Sequence, residues 1–158
     1  MSARRNAEQG ITLVELLFAV AVVGILMAIA VPQVRTWSVQ HQRSAAATEI
    51  FALINQARSI AVNTSTQATI TVTTTATPPG GSIVAQIGAP TNWTKQITLG
   101  TGPYSGVGLV AAAPAGTYTI TPRGTVQPGS FTLTLQDLNS KQATVATGIL
   151  GDVTVSIL

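Results

Sequence analysis

The hydrophobic pattern of this chain changes character twice along its length. From Ile11 to Val31 the residues are almost continuously apolar, and the one strongly polar member is Glu15. About twenty apolar residues in a helix span the ~30 Å hydrocarbon core of a membrane. The pattern therefore predicts a membrane-length helix over residues 11–31, carrying one charge that needs a partner or a role.

Between residues 32 and 63 the apolar residues recur at helical spacing instead of continuously. The predicted apolar face is formed by Ala46, Ile50, Leu53, Ala57 and Ile60, widened by Phe51, Ile54 and Ala61. Gln42, Glu49, Gln56 and Asn63 repeat every seventh position on the predicted opposite side, and Arg35, Arg43 and Arg58 are expected on a solvated face. This is the pattern of an amphipathic helix packed on a domain.

Beyond residue 63 the period changes to two, and glycine and proline interrupt the alternation. The first predicted strand contains Ile70 and Val72 within the Thr-rich run 64–77, and the others are 82–87, 93–99, 107–112, 117–121, 131–135, 143–146 and 153–158. Short alternating strands of this kind favour an antiparallel sheet. The predicted fold class is therefore α+β: a long N-terminal helix, with a transmembrane half and an amphipathic half, packed on an antiparallel β-sheet domain.

Composition excludes several classes of function. The net charge is +3, from eight Lys and Arg against five Asp and Glu, so the pI near 10.0 reflects few acids more than many bases. That is a weak electrostatic footprint for nucleic acid. The chain has no cysteine, so it can hold neither a disulfide framework nor a thiolate metal site.

Candidate chemistry is sparse. The single histidine, His41, has no second His or Cys beside it, and Asp137 and Asp152 are too few for a calcium cage. The sequence contains neither a phosphate-binding loop nor a nucleophile elbow. We therefore predict a non-enzymatic protein without catalytic residues, cofactor or metal.

The start of the chain closely resembles the type IV pilin and pseudopilin family. The resemblance rests on a basic head with Arg4 and Arg5, on Gly10, and on an apolar run with a glutamate at its fifth position. It implies a leader peptide over residues 1–10, cleavage between Gly10 and Ile11, and N-methylation of Ile11. The transmembrane or assembly helix would then cover 11–31, the amphipathic helix 32–63 and the globular β-rich domain 64–158.

The same resemblance implies a role for Glu15 and a set of partners. Glu15 would pair with the new amino group of a neighbouring subunit, replacing an unpaired buried charge by a paired one. Gly24 and Pro32 match family positions and would kink or loosen the helix. Implied partners are other pilin subunits, prepilin peptidase and an inner-membrane assembly platform. The N-terminus would be cytoplasmic and the globular domain periplasmic.

The second half resembles the GspH/FimT branch of minor pilins and pseudopilins. The resemblance rests on Tyr118–Gly124, which contains a Pro-Arg-Gly turn, followed by the alternating segments 131–135 and 148–155. Some FimT-like minor pilins bind DNA through a C-terminal basic motif. Here the matching turn, Gly148–Val153, carries Asp152, and the only bases beyond the helix are Lys95, Arg123 and Lys141. We therefore expect no nucleic-acid partner and assign no DNA-binding residue.

Three alternatives to a minor subunit remain at this point. Ala28-Ile29-Ala30 has the small-x-small form of a signal-peptidase site, which would release a soluble β domain beginning at Val31. A filament-tip protein that binds DNA or a surface is the second alternative. A major pilin is the third, although the cysteine pair common in major pilins is absent.

Overall fold

The computed structural model describes residues 12–157, and its first element is one long helix, α1, over Leu13–Thr64. The helix ends in a Schellman motif: Ser65 adopts a left-handed backbone conformation, Thr66 N–H donates to the Ala61 carbonyl, and Ser65 N–H donates to that of Val62. Two compact units divide the chain between Thr36 and Trp37. The first part of α1 thus belongs to one unit, and the rest belongs to the unit that contains the sheets.

Within residues 65–157, nine strands follow α1 and form two antiparallel sheets. The first sheet has the order β3-β2-β1-β5-β6, and the second has the order β4-β7-β8-β9. The strands are β1 Ala68–Thr73, β2 Ser82–Ile87, β3 Trp93–Thr98, β4 Val107–Ala113, β5 Thr117–Ile120, β6 Val126–Gln127, β7 Phe131–Asp137, β8 Gln142–Thr147 and β9 Val153–Ile157, with a short 3-10 helix at Gly102–Tyr104 before β4. This confirms the predicted α+β class and corrects two details: there are two sheets, and the two-residue β6 had no predicted counterpart.

The core of the second unit joins both sheets to one face of α1. Its helical members are fully buried and include Ala46, Ile50, Leu53, Ala57 and Ala61, which belong to the predicted apolar face. Tyr118 of β5 stacks on Phe131 of β7, with ring centroids 4.0 Å apart, and so connects the two sheets. Alternate residues of β7 and β8 are buried beneath the helix, as period-two patterning requires.

Candidate assembly site on the N-terminal helix and its clamps to the sheets

Glu15 lies in the first turn of α1 and belongs to a capping box. Thr12 Oγ1 accepts a hydrogen bond from the Glu15 N–H at 3.2 Å, while Glu15 Oε2 accepts from Thr12 N–H at 3.3 Å and from Thr12 Oγ1 at 3.2 Å. This reciprocal arrangement satisfies backbone donors that a helix start leaves unpaired. The Thr-x-x-Glu spacing that encodes the capping box is present in the sequence, although the box was not among the predicted features.

The apolar side chains on both sides of Glu15 are exposed throughout residues 12–36. Leu13, Phe18, Ile25 and Ile29 each expose more than 60% of their surface, and the most apolar window of α1 has none of its residues buried. α1 is the one helix in residues 12–157 that is long and apolar enough to cross a membrane. A continuous apolar surface of this size in a soluble monomer would mark a site for lipid or protein.

The other predicted residues of this segment are Gly10, Ile11, Gly24 and Pro32. Gly10 and Ile11, the predicted cleavage and methylation positions, lie outside the described residues. α1 is continuous through Gly24 and Pro32, and Thr36 Oγ1 donates to the Pro32 carbonyl at 3.1 Å. A Cβ added to Gly24 would meet no atom within 4 Å. The kink or flexibility expected at these two residues stays a prediction.

Arg43 corrects the expectation of a solvated arginine face. Its side chain is 5% exposed, and its Nη1 donates to Oδ2 of the fully buried Asp137 at 2.9 Å. Asp137 Oδ1 accepts the backbone N–H groups of Asn139 and Lys141, so the same carboxylate shapes the turn between β7 and β8. An ion pair this buried is favourable only with good geometry and added hydrogen bonds, and here Asp137 has both. The pair clamps α1 to the second sheet.

Arg58 is likewise held by the domain rather than by solvent. Its Nε donates to the Gly124 carbonyl at 3.2 Å and its Nη2 to the Leu150 carbonyl at 2.7 Å. Gly124 and Gly151 both have positive φ, and a Cβ on Gly151 would meet Arg58 Nε at 2.6 Å. Glycine is therefore required where the two loops approach the guanidinium. The turn considered for DNA is in this way a support for α1.

Two members of the predicted polar face also contact the domain. Gln42 Oε1 accepts the Gly106 N–H at 2.9 Å, and the Tyr104 hydroxyl donates a short hydrogen bond to Glu49 Oε2. The hydrogen bond to Glu49, with burial and the negative charge adding to it, raises the pKa of Tyr104 to about 12. Both residues fix the segment before β4, so this side of α1 is only partly solvated.

None of these contacts forms a reactive centre. Trp37 and His41 pack edge to face, with ring centroids 4.2 Å apart. Over residues 12–157 no three His, Cys, Asp or Glu side chains lie close enough together to hold a metal ion. The geometry provides an exposed apolar stretch of α1 that begins with a capping box containing Glu15. A separate stretch of the same helix is clamped to two sheets.

This arrangement defines a class of protein. A long N-terminal helix, apolar and exposed in its first part and packed on antiparallel sheets in its second, is the design of a structural pilin or pseudopilin subunit. The model described as "Prokaryotic N-terminal methylation motif" matches residues 5–31. That match covers Glu15 and the exposed apolar side chains from Leu13 to Val31.

The family follows from the rest of the chain. The model described as "Type II transport protein GspH" matches residues 46–151, which is more than half of the chain. The chain therefore belongs to the GspH family, and membership implies assembly with other pilin-type subunits. The apolar helix and the methylation motif together make it a membrane-anchored protein.

Individual relatives are similar to different parts of the chain. Two proteins from Pseudomonas aeruginosa described as "Fimbrial protein" are each 43% identical over 54 residues, which is 34% of this chain and 35% of each relative. The chain thus matches about a third of their length. The minor pseudopilin EpsH from the type 2 secretion system of Vibrio cholerae has the same fold, with a TM-score of 0.51, 15% identity, and coverage of 73% of this chain and 97% of that one.

Proposed function

We propose that the chain is a non-enzymatic minor subunit of a type II secretion pseudopilus or type IV pilus, made as a precursor in the inner membrane. Prepilin peptidase cleaves after Gly10, Ile11 becomes the N-methylated first residue, and an inner-membrane assembly platform adds the subunit to a filament. The observation that carries the proposal is the exposed apolar surface of residues 13–31, led by Glu15, within the segment that matches the methylation motif.

The exposed apolar surface accounts for both states of the subunit. In the precursor, lipid covers it, and Arg4 and Arg5 keep the N-terminus cytoplasmic and the β domain periplasmic. In the filament, helices of neighbouring subunits replace the lipid. Glu15 then pairs with the amino group of a neighbour's Ile11, because an unpaired charge among apolar helices is costly.

The capping box supports this assignment of Glu15 and adds to it. A carboxylate that accepts hydrogen bonds from Thr12 is held at the N-terminal end of α1, where a neighbour's amino group could approach. The positive end of the helix dipole also favours a carboxylate there, by about 0.3–1 kcal/mol. We infer that Thr12 orients Glu15 for pairing.

Mass spectrometry of the mature chain tests the proposal directly. The full chain, produced with prepilin peptidase, should begin at an N-methylated Ile11, and without the peptidase it should keep its leader. Gly10→Val should block cleavage, whereas Ala30→Leu, which disrupts the possible signal-peptidase site, should change nothing. A mature chain that begins at Val31 would establish a secreted β domain and overturn the proposal.

A further inference from the structure

Strand β9 is the one edge of the two sheets that residues 12–157 leave unprotected. At the edge of the second sheet, β4 is bonded to Gly80, whose N–H donates to the Val107 carbonyl and whose carbonyl accepts the Leu109 N–H. In the first sheet, β3 carries Lys95, and β6 has only two residues. β9 pairs with β8 on one side and has the uncharged sequence Val-Thr-Val-Ser-Ile. Exposed apolar edges without charge or proline are templates for another strand.

The core-facing side of β9 is also incompletely covered. Val155 and Ile157 pair with Val145 and Ala143 of β8, so all four side chains lie on the face toward α1. The two β8 side chains are fully buried, whereas Val155 is 37% and Ile157 48% exposed. Cover from residues 12–157 therefore ends between β8 and β9, and an apolar strip remains open along the free edge.

A groove of about 450 Å³ begins at the Ile157 end of this strip, and its uncompensated cation among the described residues is Lys141, since Arg43 is paired with Asp137. Its lining is Trp37, Gln40, His41, Arg43 and Ser44 from α1 with Lys141 and Ile157 from the second sheet. No acid among residues 12–157 lines it, because Asp137 is buried behind Arg43. A carboxylate placed here would meet the exposed Lys141 ammonium.

We propose that β9 and this groove form one docking surface for an extended, acidic segment of a neighbouring filament subunit. The free edge favours a strand, because its regularly spaced backbone donors and acceptors, otherwise bonded to water, match those of another extended backbone. Apolar side chains of that strand cover Val155 and Ile157, and an Asp or Glu lies against Lys141. This inference rests on the proposed function, since it names a contact that the subunit makes once assembled.

Site-specific photo-crosslinking of the full chain in the filaments of the producing bacterium tests the surface. p-Benzoylphenylalanine replaces Ser156, which is exposed on β9, and in a control replaces Thr94, which is exposed on β3. We expect Ser156 to give a product with another pilin-type subunit, mapped by peptide mass spectrometry to an extended segment containing Asp or Glu. Thr94 should give at most a small fraction of that yield.

Charge variants connect the crosslink to the groove. Lys141→Glu should lower the Ser156 yield about fivefold, the effect of losing and reversing an exposed pair, while Lys141→Arg keeps it. Lys95→Glu makes the same change in net charge on β3 and should leave the yield unaltered. Thermal unfolding of each variant confirms that the domain is intact, since Lys141 N–H also donates to Asp137.

Each contrary result has a distinct meaning. The chain can be found in filaments while the Ser156 probe gives no product, or gives one with a helical segment or a lipid. In each of these cases the proposed docking surface is wrong and the proposed function stands. An equal yield in Lys141→Glu removes the acidic partner and overturns the proposal as stated. If the chain never enters filaments, although it is cleaved and stable, both the proposed function and this inference fail.

Discussion

The two stretches of α1 differ in what covers their apolar side chains. Before Thr36 these side chains are exposed, Ile25 by 63%, whereas from Ala46 to Ala61 the helix face is fully buried under two sheets. The same helix thus has two apolar surfaces: the domain buries one of them, and the other needs lipid or other subunits to cover it. The first determines how stable the domain is, and the second determines where the subunit goes.

Arg43 on α1 should give a large stability effect, because its partner Asp137 is buried. Arg43→Met leaves the Asp137 carboxylate buried without its cation, which costs about 3–5 kcal/mol in the free energy of unfolding. Denaturant unfolding of the full chain in detergent micelles measures this. Arg35→Met, on the exposed part of the helix, should stay within about 0.5 kcal/mol.

A double variant separates the charge from the rest of the Arg43 contact. Arg43→Met combined with Asp137→Asn removes both charges and keeps an oxygen for the turn after β7, so it should recover part of the loss. A single variant as stable as the parent protein would show that the pair does not clamp the helix. No recovery in the double variant would place the cost in packing rather than in charge.

Two isoleucines on α1 test the comparison directly. Ile50→Ala opens a cavity in the core and should cost about 2–5 kcal/mol, whereas Ile25→Ala should change monomer stability by less than about 0.5 kcal/mol. Ile25→Ala should instead reduce the amount of chain recovered in sheared filaments. If both variants lower the unfolding free energy equally, the two stretches are not distinct.

Tyr104 predicts a smaller, pH-dependent effect. The fold raises its pKa from 10.0 to about 12, chiefly through the hydrogen bond to Glu49. A raised pKa means that this stabilisation is present below pH 10 and is lost as the pH rises through 12. Tyr104→Phe should therefore cost about 1 kcal/mol at pH 8, and the gap to the parent protein should close toward pH 12.

Phenolate absorbance gives an independent measurement on the same residue. Glu49→Gln should move the Tyr104 transition back toward pH 10, while the pKa of Tyr118, which burial raises, stays where it is. If the difference in stability between Tyr104→Phe and the parent protein stayed constant from pH 8 to pH 12, the Tyr104 side chain would contribute through packing and not through its hydrogen bond to Glu49.

Periodicity predicted the helix and its buried face well, because both depend on local spacing. Its C-terminal end was predicted at residue 63, within one residue of Thr64. The clamps were beyond its reach: Arg43 and Asp137 are 94 residues apart, and nothing near either residue indicates the other. Arg58 likewise binds two distant carbonyls through loops whose approach depends on glycine. Long-range polar contacts therefore turned a predicted solvated face into an anchored one.

The candidate assembly site shows the opposite, since most of its residues were predicted from the sequence. Gly10, Ile11 and Glu15 follow from a motif, and what the structure adds is the capping box with Thr12. Glu15 therefore has two proposed roles: it caps its own helix, and it pairs with a neighbour's amino group. The first needs only a hydrogen-bond acceptor, and the second needs a charge.

Incorporation of the Glu15→Gln variant into filaments is the measurement that separates these two roles and tests the account most directly. Glutamine keeps the capping box but has no charge to offer a neighbour's amino group, and Glu15→Ala removes both. With membrane insertion of each variant unchanged or improved, we predict that both reduce incorporation into sheared filaments by about tenfold or more, as the loss of a buried ion pair requires. Normal incorporation of Glu15→Gln beside failure of Glu15→Ala would contradict the account, because the glutamate would then serve only its own helix.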